Sequence, residues 1–225
     1  MQVSIVMPVL NEAQGVEGAL RALAPLRHAG VEVIVVDGGS HDGTAALAAP
    51  LADQLLHAPP GRGMQMNCGA AAAAGELLLF LHADTRLPDH ALALLQSACA
   101  DAHHVVWGRF DVAIVGRSPW LPVVACMMNL RSRLSGIATG DQAIFVRRAA
   151  FEAVGGFPAQ PLMEDIELSR RLRALHAPCC LRQRVTTSGR RWDTRGAWRT
   201  IALMWRLRWL YWRGTPADVL AARYR

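Results

Sequence analysis

Leu77-Leu78-Leu79-Phe80-Leu81-His82-Ala83-Asp84-Thr85 is an apolar run that breaks into a short acidic turn. A brief unbroken apolar stretch bounded by turn residues reads as a strand buried on both faces, as in a parallel sheet covered by helices. In an open α/β sheet the carboxyl ends of the strands form the ligand crevice, so Asp84 stands at a binding edge. Upstream, Val33-Ile34-Val35-Val36-Asp37 repeats the pattern, and downstream Glu164-Asp165 supplies a third acidic site.

Working outward, residues 3–9 read as a strand, and Asn11 with Gln14 three positions on reads as a capping box opening a helix. Val16, Leu20 and Leu23 continue at helical spacing until Gly30. A strand over 31–36 follows, then a turn over 38–44, a helix to about residue 49, a short strand over 54–57, a helix over 64–74 and the strand 76–81. Strands alternating with helices predict βαβ units with right-handed crossovers. After Pro88 the pattern predicts a helix over 89–100, a half-exposed strand over 105–115, a helix with an apolar face over 118–134 and a strand over 142–146. An amphipathic helix over 165–175, a strand over 181–187 and a long aromatic helix over 196–212 come next; Thr215-Pro216 caps a last short helix. The expected class is α/β, with a mostly parallel central sheet flanked by helices. One domain covers 1–192, with halves at about 1–88 and 89–192, and 193–225 form an amphipathic helical extension of the same unit.

With 225 residues, 52% of them hydrophobic, the chain makes one sizeable domain and is not disordered. Cys68, Cys99, Cys126, Cys179 and Cys180 have no C-x-x-C spacing, which predicts reduced thiols in a cytosolic protein. The start lacks a basic leader, so secretion is not expected. No stretch reaches the ~18 apolar residues that span a bilayer. All 24 basic residues are arginine, and eleven fall in 182–225 against only Asp193 and Asp218. Residues 198–213 are rich in Trp and Arg. That pattern suits a helix lying in a membrane interface, or one packed on the domain or on another subunit. No nucleic-acid recognition fold is visible, so no nucleic-acid partner is expected.

Several residues stand where chemistry would need them. Asp37 ends a strand, and the glycines after it, Gly39 among them, let backbone approach a ligand. Glu12 suits a ribose or base, or equally the first turn of a helix. Arg62, on a Gly/Pro-rich loop, suits a phosphate or plain solvent. Asp84 is the leading metal candidate, since Mg²⁺ or Mn²⁺ takes few carboxylates plus phosphate oxygens; His82 is a possible second ligand. Asp141 and Gln142 precede one strand, and Glu164-Asp165 precede a helix, where acidic residues also serve as caps. Arg190-Arg191-Trp192 pairs two cations with a flat apolar face, or belongs to the general basic surface.

Taken in order, these segments resemble the family 2 inverting glycosyltransferases of GT-A fold, in particular a bacterial subgroup of small single-domain members. The resemblance runs from about residue 3 to residue 192. It is carried by Val3-Ser4-Ile5-Val6-Met7-Pro8-Val9-Leu10-Asn11-Glu12, Val35-Val36-Asp37-Gly38-Gly39-Ser40, Leu81-His82-Ala83-Asp84, Gly140-Asp141-Gln142 and Glu164-Asp165. It implies a UDP- or GDP-sugar donor, with Pro8, Glu12, Asp37, Gly39, Arg62 and Ala83 in its nucleotide site. It implies a divalent cation, Mn²⁺ or Mg²⁺, at Asp84 with His82. Asp165 matches the catalytic base, with Glu164 beside it. Asp141, Gln142, Arg190, Arg191 and Trp192 match the acceptor and diphosphate side.

Three positions depart from the family pattern. Gly38 replaces an acidic residue, His82 replaces the first Asp of D-x-D, and Ser188-Gly189-Arg190-Arg191-Trp192 replaces Q-x-x-R-W. The expectation is single, non-processive transfer to an unidentified and conceivably lipid-linked acceptor, at the inner face of the membrane. The alternatives are a degenerate nucleotide-sugar binding module at that surface and, behind it, a sugar nucleotidyltransferase.

Overall fold

Side chains that alternate above and below a single sheet organise this chain, whose residues 1–100 and 105–224 are described by a computed structural model. Strand β1 (Val3–Val9) is buried at all seven positions. It pairs in parallel with β2 (Glu32–Asp37) and β4 (Leu77–Phe80), and β2 pairs in parallel with β3 (Gln54–His57). Helices α1 (Val16–His28), α2 (Thr44–Ala48) and α3 (Arg62–Ala72) make the connections. Ile5, Met7, Val33, Val35, Leu77 and Leu79 face one layer, where α1 packs through Val16, Leu20 and Leu23. Val6, Ile34, Val36, Leu78 and Phe80 face the other, against Met66 of α3. Each such side chain, fully buried, contributes roughly 1.5–3 kcal/mol. The strands have no polar face, so their polar residues lie at the ends: Ser4 and Gln54 bond to Glu32 at the amino edge, and Asp37 registers with Val9 and His57 at the carboxyl rim.

Beyond β4 the sheet turns mixed. The order is β3-β2-β1-β4-β7-β6-β8-β5, with β5 (Thr85–Arg86), β6 (Trp107–Val115), β7 (Phe145–Arg147) and β8 (Cys179–Ser188). β7 runs antiparallel to both β4 and β6, β6 is parallel to β8, and β5 is antiparallel to β8. Helices α4 (Ala91–Ala98) and α5 (Leu121–Ser135) pack on the α1 layer, and α6 (Arg148–Ala153) and α7 (Glu164–Leu175) on the α3 layer. Helix α8 (Arg190–Arg195) crosses the expected boundary after residue 192. Helices α9 (Ala197–Trp212) and α10 (Ala217–Tyr224) dock through Leu207 and Leu220 onto Met163. Residue 225, the end of the expected extension, lies outside the described residues.

Three expectations change. Asn11 is not a helix cap: its φ is 53°, its side chain accepts a hydrogen bond from the His41 N–H at 3.0 Å, and α1 starts only at Val16. The N–H groups of Asn11, Glu12 and Ala13 instead donate to the side chains of Ser40, Thr44 and Asp42. β6 is buried over its first six residues, not half-exposed. Its polar residues satisfy one another: Arg109, fully buried, pairs with Asp111, which also binds Arg133 at 2.7 Å. Residues 142–146 are not one strand, since Gly140–Gln142 form a helical turn and β7 begins at Phe145. β5, two residues long, has no periodicity to announce it.

Gly108 sits where β6 meets β8. A Cβ there would lie 2.3 Å from the Cys179 carbonyl oxygen and 2.4 Å from the Phe145 ring. Backbone cannot yield as a side-chain tip can. Gly108→Ala is expected to cost about 2–4 kcal/mol, read as a lowered urea midpoint with unchanged slope.

Candidate active site

The rim at the carboxyl ends of β1, β2 and β4 is built by two laced loops. Asp37 is almost wholly buried; its Oδ2 accepts the N–H groups of Gly39 at 3.0 Å and Ser40 at 2.9 Å, while its Oδ1 is buried without a partner. Burial raises the Asp37 pKa, but hydrogen bonds from Ser40 and Gly39 outweigh it and hold the carboxyl below its ordinary value. Gln65 of α3 is buried beneath the rim and donates to the carbonyls of Val9 and Val36, both at 2.8 Å. It clamps β1 to β2, and only its position on the inner face of α3 could have signalled it. Glu12 stands across from Arg190, 3.1 Å from the guanidinium. Pro8 lies within β1, registered with Val36.

The turn after β4 carries His82, Ala83 and Asp84. The Asp84 carbonyl accepts the Ser188 N–H at 3.1 Å, and Thr85 registers with Thr187, so the β8 end is tied to this turn. Arg190, Arg191 and Trp192 follow directly on α8. Arg191 stacks over the Tyr224 ring at 4.6 Å, and Trp192 packs partly buried against the core.

Across from this turn the chain gathers three carboxylates, of which Glu164 is buried and Asp141 and Asp165 are half-buried. Asp165 Oδ2 accepts the Gly140 N–H at 2.9 Å, so the first turn of α7 is tied to the Gly140–Gln142 turn. His82 Nδ1 lies 3.6 Å from Asp141 Oδ1. A Cβ on Gly140 would come within 2.3 Å of the His82 ring, so glycine is what lets the two segments close. Gln142, expected on the acceptor side, is fully buried and bonds to Thr139 and Asn129; its amide is committed to the protein.

The charges explain one another. Burial raises the Asp165 pKa, the hydrogen bonds from Gly140 and Ile166 oppose it, and the net shift is upward. Glu164 is also raised, first by burial and then by the Asp165 charge, with Arg62 opposing. Asp141 goes the other way: burial would raise it, but His82, Arg62 and Arg191 bring it down. Arg62 thus acts on three carboxylates from its exposed position at the start of α3.

Arg131, on the inner side of α5, was not anticipated. Its Nε and Nη2 are buried without partners, and burial lowers its pKa despite the nearby charges of Asp165 and Asp141. The sequence signal was an arginine one position before buried Ser132 and two after buried Asn129, on the face that packs inward.

Among the described residues no group of three or more His, Cys, Asp or Glu side chains is gathered to hold a metal ion. Asp84 nevertheless fits one: among the described residues its carboxylate is bonded only to the Thr85 hydroxyl, at 3.3 Å. A magnesium or manganese site of one or two protein ligands completed by phosphate oxygens suits that donor set.

A parallel half-sheet with carboxylates at the ends of the strands flanking its centre, faced by a second carboxylate group, is an arrangement of the GT-A fold. Residues 4–155 match Glycosyl transferase family 2, and the chain belongs to that family. The fold is similar to that of S. aureus TarS 1–349 in complex with UDP, with TM-score 0.66, 20% identity and coverage of 84% of this chain and 60% of that one. It is also similar to the mannosyltransferase PcManGT from Pyrobaculum calidifontis in complex with GDP-Man and Mn²⁺, with TM-score 0.63, 22% identity and coverage of 82% and 56%. In sequence it is 25% identical over 229 residues to a beta-monoglucosyldiacylglycerol synthase of Trichormus variabilis, covering 87% of this chain and 48% of the relative. The chain spans about a third to a half of the length of the first curated relatives it matches.

A carboxyl whose pKa is raised by folding favours the folded state while protonated and loses that advantage as pH rises past its unfolded value. Asp165→Asn is therefore expected to gain melting temperature relative to the parent as pH is raised from about 4 to about 7. A constant difference across that range, by differential scanning fluorimetry, would contradict the assignment of buried charge to Asp165.

Proposed function

We propose that this protein transfers one sugar from a UDP- or GDP-sugar to an acceptor hydroxyl with inversion, Asp165 acting as the general base. The observation that carries the reading is the half-buried Asp165 carboxylate, fixed to the Gly140 N–H at 2.9 Å in the turn that also brings Asp141 to His82. A base of raised pKa works near neutral pH, where it is ionised yet still basic. Asp165 takes the acceptor proton, the freed oxygen attacks the anomeric carbon from the side opposite the leaving group, and the bond from that carbon to the phosphate oxygen breaks. The electron pair leaves with the nucleoside diphosphate.

The unpartnered Asp37 Oδ1 is an acceptor for a nucleoside N–H or O–H, and the family resemblance adds Pro8, Glu12, Gly39 and Ala83 to the same nucleotide site. Arg62 and Arg191 stand to receive phosphate charge, and the open N–H groups of Arg131 suit an anionic group beside the base. Asp84, with His82, would hold the divalent cation, which offsets charge building on the leaving diphosphate. PcManGT, crystallised with GDP-Man and Mn²⁺, and TarS, with UDP, support that donor chemistry.

The acceptor we favour is lipid-linked. The relative named beta-monoglucosyldiacylglycerol synthase supports this, as does helix α9, whose outer side is lined with tryptophan and arginine. Among the described residues no helix is long and apolar enough to cross a membrane, so α9 would rest on the surface. Five unpaired cysteines suit its cytoplasmic, reducing side.

In a thermal-shift screen of UDP, GDP, ADP, CDP and dTDP, one nucleotide is expected to raise the melting temperature only with Mn²⁺, and Asp84→Ala to abolish the shift. With the donor so identified, Asp165→Asn should keep that shift and lower kcat about 10²–10⁴-fold. Below the raised Asp165 pKa the parent should lose kcat/KM as its base protonates. Retained turnover in Asp165→Asn would remove the base assignment. Binding without any turnover in the parent would favour a degenerate binding module.

A further inference from the structure

The outer side of α5 is apolar from end to end. Val123, Met127, Leu130 and Leu134 recur every three or four residues, all exposed, with Leu134 at 80%. Sequence periodicity gives this helix one apolar face. The helix has two: Leu121, Val124 and Ala125 fill the core, and the second stripe points away from it.

On α9 two stripes run side by side. Trp198, Trp205, Trp209 and Trp212 are 55–79% exposed, and Arg199, Arg206 and Arg213 are exposed one position further round. Seven-residue spacing keeps both lines on one side of the helix. The two helices meet at their starts, where the Trp120 and Trp198 rings lie 5.0 Å apart at 59°. This ring contact brings the amino-terminal ends of the α5 and α9 stripes together, each stripe running on from it exposed. Monomeric proteins rarely leave such a surface uncovered.

Charge selects what covers it. Neither helix contains an acidic residue, and on α9 Arg199 and Arg206 are exposed beside the tryptophans, whereas Arg131 of α5 points inward and Arg133 is paired with Asp111. A twofold contact of this surface with itself would set arginine against arginine. An anionic partner meets no such penalty. Tryptophan bordered by arginine is also the composition that settles at the level of lipid headgroups, rings in the acyl boundary and guanidinium groups at phosphate.

We propose that α5 and α9 form a single bilayer-binding face for anionic lipid, and that this face sets the acceptor side of the cleft against the headgroups. The proposal rests on the reading of α9 as an interfacial helix and extends it to α5. The inner sides of the same two helices wall the carboxylates. α5 presents Arg131 toward Asp165 and Asp141, and α9 packs through Leu207 on Met163, the residue before Glu164. Lipid engaging the outer sides thus brings a membrane-borne acceptor hydroxyl alongside the base without its leaving the interface.

The test is co-sedimentation of the full chain with phosphatidylcholine vesicles, with and without phosphatidylglycerol. The parent is expected to bind the anionic vesicles and to be released by salt. Met127→Gln/Leu130→Gln/Leu134→Gln on α5 and Trp205→Ser/Trp209→Ser on α9 should each weaken partitioning on the order of tenfold. Leu47→Gln on α2 should leave it unchanged. Thermal melts and the nucleotide-dependent shift, retained in both variants, would separate a lost surface from a lost fold. Parent-like binding by the α5 variant with loss in the α9 variant overturns the joint face and leaves the α9 reading intact. No vesicle binding by the parent overturns both. A dimer in light scattering that the α5 variant dissolves would make a second copy the occupant, and overturns the proposal.

Discussion

The pairing of β4 with β7 holds the two halves of this enzyme in one frame. On one edge β4 continues the parallel sheet through β1; on the other the Phe80 N–H donates to the Ile144 carbonyl at 2.9 Å, and the chain runs antiparallel from there. Both strands are apolar and buried, so the register is held by core packing: a slip of one residue would turn Leu77 and Leu79 into the layer of Leu78 and Phe80. Because β4 leads into His82–Asp84 and β7 is preceded by Gly140–Gln142, this pairing sets the acidic turn beside the Asp141–Asp165 cluster. No loop has to be ordered separately to assemble the cleft.

The cleft carries groups that a core would not choose. Arg109 is fully buried with Nε unpartnered, Arg131 has two buried unpartnered nitrogens, and Glu164 and Asp165 are raised by burial. Unpaired buried polar groups each cost roughly 1–3 kcal/mol. Arg109 is tied into Asp111 and Asn129 and steadies the β6–α5 contact. Asp165 accepts the Gly140 and Ile166 amides, while Arg131 has no comparable structural return and keeps two nitrogens without a partner. The apolar layers of β1, β2 and β4 carry that deficit.

Legibility followed periodicity. The parallel half of the sheet and its rim carboxylates, Asp37 and Asp84, could be read because four or five apolar residues in a row have few alternatives. The family motifs located Asp141 and Glu164-Asp165, although spacing alone left a capping role equally open, and Asp165 does hold the Gly140 amide. β6 misled because Arg109 and Asp111, polar at alternating positions, imitate a solvent-facing stripe; their mutual pairing is invisible in one dimension. Asn11 misled because a capping pattern and a loop that binds another loop use the same residue types. Gln65 and Arg131 escaped because a buried polar residue on an inward helix face gives no periodic signal. The second apolar face of α5 was hidden for the opposite reason, since an apolar residue reads as core wherever it points.

The ion pair between Glu12 and Arg190 spans 178 positions of sequence, and β5 waits for Thr186 and Thr187 of β8. Contacts of such separation form late, after the loop entropy of everything between has been spent. During synthesis the parallel half can pack once β4 has emerged, yet its rim stays unfinished until Arg190 has followed. A nascent chain that has not reached Arg190 is therefore a folded core with an open cleft edge, and ligand added at that stage would meet an incomplete site.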